Sequence, residues 1–262
     1  MVVTSAYSLP QVFTDFISNF DIQGKNVLEV GGVIEEDFIK NLNVQWTSVD
    51  PLYTPLKDYE LVSSRTLTTI KHIKHDITQV AFNPDEFNYI FSCNAFHHIA
   101  DLRLAFNNFY KWLKKGGVLY SHFGPIGSAP DGCHIEGFEH EGKIYNFWED
   151  KLVPFWSHLY FQYEEMLDFL KQHYSIEFAK KLAHVIYESH WINRLTFSNY
   201  KNLLKDNPWE IINFSYSEGI DYVPKNYIPS ISSAFEKKLF KQISKNKKEN
   251  FVARDLLIII RK

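Results

Sequence analysis

Short apolar runs alternate with amphipathic patterns along the first 122 residues. The runs predict β-strands at Asn26–Val30, Trp46–Val49, Lys71–His75, Phe87–Cys93 and Val118–His122. Apolar residues at helical spacing predict helices between them, including a leading helix at Ser8–Phe20 and one that begins after Asp101. Strands that alternate with helices are typical of a mostly parallel sheet covered on both faces, which places the chain in the α/β class.

The alternation stops at residue 123 and resumes near residue 196. In between, glycines and prolines punctuate a long loop, and helical patterns follow at 163–170 and 179–186. A loop of this length within a domain is usually functional. The resumed pattern predicts, in order, a helix at Phe197–Leu204, a strand at Glu210–Ser217, a helix at Ser230–Ile243 and a closing strand at Val252–Ile260. We therefore predict a sheet domain made of residues 1–122 and 196–262, with a mostly helical lid insertion at 123–195.

Composition narrows the class further. With 262 residues and 45% hydrophobic content, the chain can bury a core without metal or disulfide support. A net charge of −3 gives no attraction to nucleic acid or an anionic membrane, and the apolar run at Leu256–Ile260 is far shorter than the ~20 residues of a membrane helix. Met1–Pro10 lacks the pattern of a secretory signal, and two cysteines indicate a reducing compartment. We expect a cytoplasmic protein with neither a nucleic acid nor a membrane as its partner.

Three acidic residues each accompany the end of a predicted strand: Glu29, Asp50 and Asp76. In open α/β sheets, ligands bind beyond the carboxyl ends of the strands. Asp50 follows Gly31 by 19 residues, close to the ~20 expected for a carboxylate that binds ribose hydroxyls. The Gly31-Gly32 pair allows the backbone to approach a ligand closely. The set predicts a nucleoside-bearing cofactor across the strand ends.

Six segments occur in the order and spacing typical of one family. They are Asn26–Gly31, Ser48–Asp50, His75–Ile77, Ile90–Ile99, Trp112–Leu119 and the closing strand Leu256–Ile260. On these segments the chain resembles the class I S-adenosylmethionine-dependent methyltransferases over nearly its whole length. The resemblance implies a Rossmann-like sheet whose last strand is antiparallel, and transfer of a methyl group from S-adenosylmethionine to a nucleophile, which leaves S-adenosylhomocysteine.

The resemblance also implies a role for each matching residue. Glu29 would anchor the methionine end of the cofactor, with Asn94 beside the methionyl portion. The remaining cofactor residues are Gly31 and Gly32 beneath the ligand, Asp50 and Pro51 at the ribose, and Asp76 and Ile77 around the adenine. One departure stands out, because Val33 and Glu35 occupy positions where the family's loop has further glycines. The insertion resembles that of a bacterial subgroup that acts on small molecules or sugars.

Histidines supply the candidate catalytic groups. An alcohol or phenol acceptor must lose its proton as the methyl group arrives, and imidazole titrates near working pH. We predict His134 as the general base, with His158 and Asp131 as alternatives, and His97 as a polar group that faces the acceptor. An amine or carboxylate acceptor would need no strong base. Aromatic residues predicted to wall the acceptor pocket are Tyr145, Phe147, Trp148, Phe155, Trp156 and Tyr160.

Two other functions stay open at this point. The altered glycine loop is also typical of a methyltransferase-like domain that serves as a scaffold without catalysis. A nicotinamide-dependent oxidoreductase would need a different glycine pattern, although Tyr110 and Lys114 have the Tyr-x-x-x-Lys spacing of short-chain dehydrogenases. We predict no metal site, because Cys133, His134, His140 and His158 lack a recognised zinc spacing.

Overall fold

The computed structural model describes residues 7–52, 59–62, 67–218, 226–227, 233–245 and 248–262. The chain divides into two units: unit 1 comprises 1–124, 201–216 and 255–262, and unit 2 comprises 125–200 and 217–254. Unit 2 therefore contains nearly all of the predicted insertion, 123–195, together with a segment that the prediction had assigned to the sheet domain. Each unit is described below by itself.

The helices are α1 Leu9–Asn19, α2 Glu36–Ile39, α3 Leu102–Trp112, α4 Ser157–Tyr160, α5 Tyr163–Lys171, α6 Ile176–Tyr187, α7 Phe197–Leu203 and α8 Ser233–Ile243. The strands are β1 Asn26–Val30, β2 Gln45–Val49, β3 Tyr59–Val62, β4 Thr69–Ile73, β5 Phe87–Cys93, β6 Leu113–Phe123, β7 Phe138–His140, β8 Lys143–Tyr145, β9 Asp150–Lys151, β10 Glu210–Glu218, β11 Asn226–Tyr227 and β12 Ala253–Arg261. A 3₁₀ turn spans Phe96–His98. None of the helices in these ranges combines the length and apolar composition needed to cross a bilayer.

Eight of the described strands form one sheet in the order β10-β12-β6-β5-β1-β2-β4-β3. Strand β1 pairs in parallel with β2 and β5, β4 continues the parallel set from β2, and β6 continues it from β5. Strand β12 pairs antiparallel with β6, and β3 pairs antiparallel with β4. The predicted mostly parallel sheet with an antiparallel last strand is confirmed. Because β1, β2, β4, β5 and β6 run in the same direction, their carboxyl ends lie along one edge.

The core of unit 1 is aromatic and lies between α1 and the sheet. Helix α1 begins after Ser8, whose backbone N–H donates to Gln11 Oε1 over 2.7 Å. Its buried face places the Phe16 ring 5.1 Å from that of Phe91 on β5 and 5.4 Å from that of Tyr120 on β6. This packing fixes the start of α1, and with it Tyr7, relative to the sheet.

Unit 2 has a core of its own, built where α5 packs on α6. Met166, Leu170 and Leu182 are fully buried there. A short hairpin of β7 and β8 and a parallel pair of β9 and β11 accompany these helices. Helix α8 contacts α4, and a buried ion pair joins Lys151 Nζ on β9 to Glu236 Oε1 on α8 over 2.6 Å. These contacts are the reason that residues 217–254 belong to unit 2 and not to the sheet domain.

Several predicted elements differ from the structure. Strand β4 is two residues earlier than the predicted Lys71–His75, because the buried positions of its alternation are Ile70 and His72. The edge strand β3 was not predicted. The insertion contains the short strands β7, β8 and β9 besides helices. Two predictions fall partly outside the described residues. Residues 1–6 of the segment Met1–Pro10, which we predicted not to be a secretory signal, are not among them, nor are residues 230–232 of the predicted helix Ser230–Ile243.

Candidate active site

A tight turn follows β1 and is built by two glycines. Gly31 and Gly32 have φ angles of +66° and +71°, in the left-handed region that favours glycine. A Cβ added at Gly31 would lie 2.2 Å from Ala95 Cβ, so the turn passes directly over the end of β5. By contrast, Glu35 has a φ of −58°. The glycine requirement therefore falls on residues 31 and 32, and the departure at Val33 and Glu35 is compatible with this turn.

Asp50, at the end of β2, holds that turn. Its Oδ2 accepts from the Gly32 N–H over 2.6 Å, and its Oδ1 accepts from the Leu52 N–H over 2.6 Å. A carboxylate offers about four lone-pair sites, so each oxygen keeps acceptor capacity toward a ligand. The side chain is partly exposed. The adjoining Pro51 is exposed at the same strand end.

Asp76 follows β4 after a short turn. Its Oδ1 accepts from the Thr78 N–H and the Thr78 hydroxyl, both over 2.7 Å. Within the described residues its Oδ2 accepts no hydrogen bond and remains available to a donor such as an exocyclic amine. Ile77 is 4% exposed and forms an apolar wall next to it. The two residues predicted to frame an adenine are therefore together at the edge of the sheet.

Asn94 directly follows β5 and has a left-handed conformation, with a φ of +56°. Its backbone N–H donates to the His122 carbonyl oxygen over 2.9 Å, and its side-chain Oδ1 accepts from the Tyr7 hydroxyl. The residue is exposed. It thus lies at the strand end next to the Gly31-Gly32 turn. Its place beside the methionyl portion stays a prediction.

Glu29 differs from its predicted role. The side chain has no exposed surface, and its oxygens accept from the Ile34 N–H, the Trp46 indole N–H and the Ser48 hydroxyl. Burial raises the pKa of this carboxyl to about 7 against the opposing effect of those hydrogen bonds. Glu29 supports the loop after β1 from below and does not present its carboxylate at the surface where a ligand would lie.

The raised pKa of Glu29 predicts a pH-dependent stability. The unfolded carboxyl ionises near 4.5 and the folded one near 7, so between these values the folded state holds a proton that the unfolded state has lost. The contribution of Glu29 to the free energy of unfolding should therefore fall as pH rises from 5 to 8, by about 3 kcal/mol at most. Urea unfolding of wild type and Glu29→Gln across this range isolates that contribution as the difference between the two proteins. Glu86→Gln, which changes a surface partner of Asn83, should show no such pH-dependent difference from wild type.

His97 lies in unit 1, in the 3₁₀ turn after β5. It is 3% exposed, and its ring stacks on Phe123 with the ring centroids 6.0 Å apart. Phe123 lies one residue beyond His122 on β6, so the two side chains point to opposite faces of the sheet. His97 is therefore on the face opposite to α1.

His134 and its alternatives lie in unit 2. His134 Nε2 is 3.0 Å from Glu136 Oε2, which also accepts from the Trp191 indole N–H. An imidazole oriented by a carboxylate has the arrangement of a general base. His158 Nε2 contacts the Gly127 carbonyl oxygen over 3.1 Å, and burial lowers its pKa to about 4. The catalytic role of His134 stays a prediction, as does that of His97.

Asp131, the other alternative base, is committed to a buried ion pair. Arg254 donates to it from Nε over 3.0 Å and from Nη2 over 2.8 Å. The two side chains are 9% and 5% exposed. This pairing has a structural purpose within unit 2, and it differs from the role that the sequence suggested for Asp131.

Of the six aromatic residues predicted to wall the acceptor pocket, four make contacts within unit 2 and two are exposed. Phe147 packs on the His134 ring with centroids 4.6 Å apart, and Trp156 donates from its indole N–H to the Phe251 carbonyl oxygen. Tyr145 packs against the core of unit 2. Trp148 and Tyr160 are exposed. Phe155 lies under the Lys151 ammonium, which is 3.5 Å from the ring centroid.

His122, at the carboxyl end of β6, is a candidate that the sequence interpretation missed. It is 3% exposed, and within the described part of the chain neither ring nitrogen has a hydrogen-bond partner. The sequence held a signal for it. Val118, Tyr120 and His122 occupy alternate positions of one strand, so the pattern places a histidine where a third core residue is expected.

Known proteins resemble this chain in sequence over part of its length and in fold over nearly all of it. Residues 30–121, which run from the end of β1 to β6, match the family model of a methyltransferase domain. The fold resembles that of a protein from Listeria monocytogenes described as an S-adenosylmethionine-dependent methyltransferase, at 14% identity and a TM-score of 0.51, over 97% of this chain and 99% of that one. This part of the chain therefore matches a methyltransferase domain, and the whole chain has a class I methyltransferase fold. An S-adenosylmethionine-dependent methyltransferase from Mesorhizobium loti is similar at 14% identity and a TM-score of 0.49, over 98% and 99% of the two chains. No curated protein sequence matches.

The residues at the strand ends of unit 1 fit S-adenosylmethionine, the predicted cofactor. The fit rests on the Gly31-Gly32 turn, which leaves no room for a side chain at Gly31 and holds Gly32 in the left-handed region. It also rests on the remaining acceptor capacity of Asp50 and Asp76. Both carboxylates and the turn belong to unit 1 and lie along one edge of its sheet.

Proposed function

We propose that the protein transfers a methyl group from S-adenosylmethionine to a hydroxyl oxygen of a small molecule, such as a natural product or a sugar. One observation carries this proposal. The carboxylate of Asp50 and the left-handed Gly31-Gly32 turn are joined by a hydrogen bond at adjacent strand ends. This arrangement combines a close backbone approach with a ribose acceptor, which a nucleoside cofactor requires.

The chain's own residues then have distinct tasks. When bound, S-adenosylmethionine supplies an electrophilic methyl group. Asp50 would accept from the ribose hydroxyls, Asp76 would accept through its uncommitted Oδ2 from the adenine amine, and Ile77 would pack on the adenine ring. The Gly31-Gly32 turn and Asn94 would border the methionyl portion. Alignment of donor and acceptor can contribute several kcal/mol toward the ~7–11 kcal/mol limit for such effects.

The proposed setting is small-molecule biosynthesis in the cytoplasm. Buried free thiols at Cys93 and Cys133 support a reducing compartment. Oxygen is the proposed target because the chain offers buried imidazoles that can accept a proton. One of these imidazoles is that of His134, which is paired with Glu136.

Calorimetric titration tests the proposal. Wild-type protein should bind S-adenosylmethionine and S-adenosylhomocysteine, and NADH should give no fluorescence change. With S-adenosylmethionine present, mass spectrometry should find methylation of phenol in preference to aniline, which differs in the acceptor atom. Binding of neither sulfur compound would favour a scaffold, and binding of NADH alone would favour an oxidoreductase.

A further inference from the structure

The buried imidazole of His122 has no structural task that accounts for its polarity. Its ring nitrogens lack hydrogen-bond partners in the described residues, although burial of such a group without a partner costs free energy. Burial also lowers its pKa to about 4, with the charge of Asp15 acting in the opposite direction. The ring is therefore neutral at physiological pH and has one nitrogen able to accept a proton. A buried acceptor of this kind is suited to a ligand that donates.

A phenol ring already lies against His122. The Tyr7 ring centroid is 3.8 Å from that of His122, with the planes 75° apart, and the Tyr7 hydroxyl donates to Asn94 Oδ1. Tyr7 directly precedes the N-terminal cap of α1. The space between His122 and Asn94 thus accommodates an aromatic ring with a hydroxyl group, which shows the chemical class of ligand that fits there.

The position agrees with the proposed path of the cofactor. Asp76, Asp50 and the Gly31-Gly32 turn follow β4, β2 and β1, which are neighbours in that order. Adenine, ribose and methionyl groups laid along these strand ends lead toward β5 and Asn94. The next strand is β6, where His122 is the residue paired with Cys93 of β5. The acceptor side of the methyl group is therefore the side on which His122 lies.

We propose that His122 and Asn94 form the acceptor subsite, that the subsite takes a phenolic hydroxyl in place of the Tyr7 ring, and that His122 receives the proton of that hydroxyl. This inference rests on the proposed function. His122 accepts the O–H proton while the phenolic oxygen forms its bond to the methyl carbon and the carbon–sulfur bond breaks, its electron pair going to sulfur. A protonated ether is a far stronger acid than imidazolium, so the transfer is downhill even for this weak base. The imidazolium returns its proton to water after the product leaves.

Nuclear magnetic resonance of protein labelled with ¹⁵N-histidine tests the subsite directly, with S-adenosylhomocysteine present. The His122 signals are assigned by their loss in His122→Phe. Phenol should shift them, whereas anisole, which has the same ring without the donor, should not. His184→Phe, which removes an exposed histidine paired with Glu188, should leave the response to phenol unchanged. Unshifted His122 signals at saturating phenol would overturn the proposal.

Two variants separate the parts of the proposal. Tyr7→Ala should bind phenol about tenfold more tightly, because wild-type protein must first displace the Tyr7 ring, and a displaced state populated at about 10% would lower its affinity by that factor. Weaker binding by Tyr7→Ala would show that Tyr7 is a wall of the subsite and would overturn its displacement. His122→Phe should form anisole from phenol and S-adenosylmethionine about 100-fold more slowly or worse than wild type. Equal rates, including no anisole from either protein, would overturn the role of His122.

The same experiments keep this inference distinct from the proposed function. His122→Phe should bind S-adenosylhomocysteine with an affinity within about twofold of wild type, because His122 lies on the acceptor side and not among the cofactor residues. Failure of wild-type protein to bind S-adenosylhomocysteine contradicts the proposed function. Retained binding with unchanged phenol chemistry in His122→Phe contradicts the further inference alone.

Discussion

Asp50→Ala should weaken S-adenosylhomocysteine binding by about 100-fold or more. Two hydrogen bonds from ribose hydroxyls to a carboxylate contribute ~1.5–3 kcal/mol each, and the variant removes both. It also releases the Gly32 N–H, which Asp50 Oδ2 holds over 2.6 Å, so the turn beneath the ligand loses its restraint. Isothermal calorimetry at neutral pH measures the loss.

Asp21→Ala is the matched control for this variant. Asp21 Oδ1 accepts from the N–H two residues later, that of Gln23, over 3.0 Å, just as Asp50 Oδ1 accepts from Leu52. Asp21 precedes β1, so it lies toward the opposite edge of the sheet from Asp50. Asp21→Ala should lower stability by no more than the loss of one hydrogen bond in a turn, and it should leave cofactor affinity unchanged. Equal affinities for Asp50→Ala and Asp21→Ala would remove Asp50 from the site.

Arg254→Met should lower the free energy of unfolding by about 3–5 kcal/mol. The variant leaves the buried carboxylate of Asp131 without the guanidinium that donates to both of its oxygens. Removal of one member of a buried ion pair is more costly than removal of both, because the remaining charge stays in a poorly solvated place. Chemical denaturation followed by tryptophan fluorescence measures the change.

The double variant Arg254→Met with Asp131→Leu should recover much of that loss, since it removes the carboxylate that the single variant leaves without its partner. Arg261→Met is the control for the exposed case. Arg261 pairs with Glu210 at the surface, with side chains 41% and 62% exposed, and its replacement should change stability by less than about 1 kcal/mol. A cost for Arg254→Met as small as that for Arg261→Met would show that the Asp131 carboxylate is well solvated.

The parallel strands could be predicted because most of their residues are apolar, as in β1 and β5, where burial on both faces favours the same residue types. Strand β4 was displaced by two residues because Lys71 and His72 interrupt its apolar pattern. Strands β7 to β9 are two or three residues long, too short for any periodicity to be visible. Helix α8 was predicted, but its membership of unit 2 was not. That membership depends on contacts with residues distant in sequence, such as Lys151.

In the candidate site, too, features set by local sequence could be predicted and features set by distant contacts could not. Local motifs located Asp50, Asp76 and the Gly31-Gly32 turn, since each depends on a strand end and its neighbours in sequence. Contacts between distant segments were beyond the pattern, including the hydrogen bonds that enclose Glu29 and the pair of Asp131 with Arg254, 123 residues apart. The alternation of β6 indicated that His122 is buried. Only the structure shows that its ring nitrogens have no hydrogen-bond partner among the described residues.

The close approach of Gly31 to Ala95 has a consequence for sequence divergence. Because a methyl group at residue 31 would overlap the methyl group of Ala95, the two positions restrict each other. A substitution of Ala95 by any bulkier amino acid would push the loop outward even with Gly31 retained. Relatives of this chain should therefore vary at these two places in concert, with a small residue opposite every glycine.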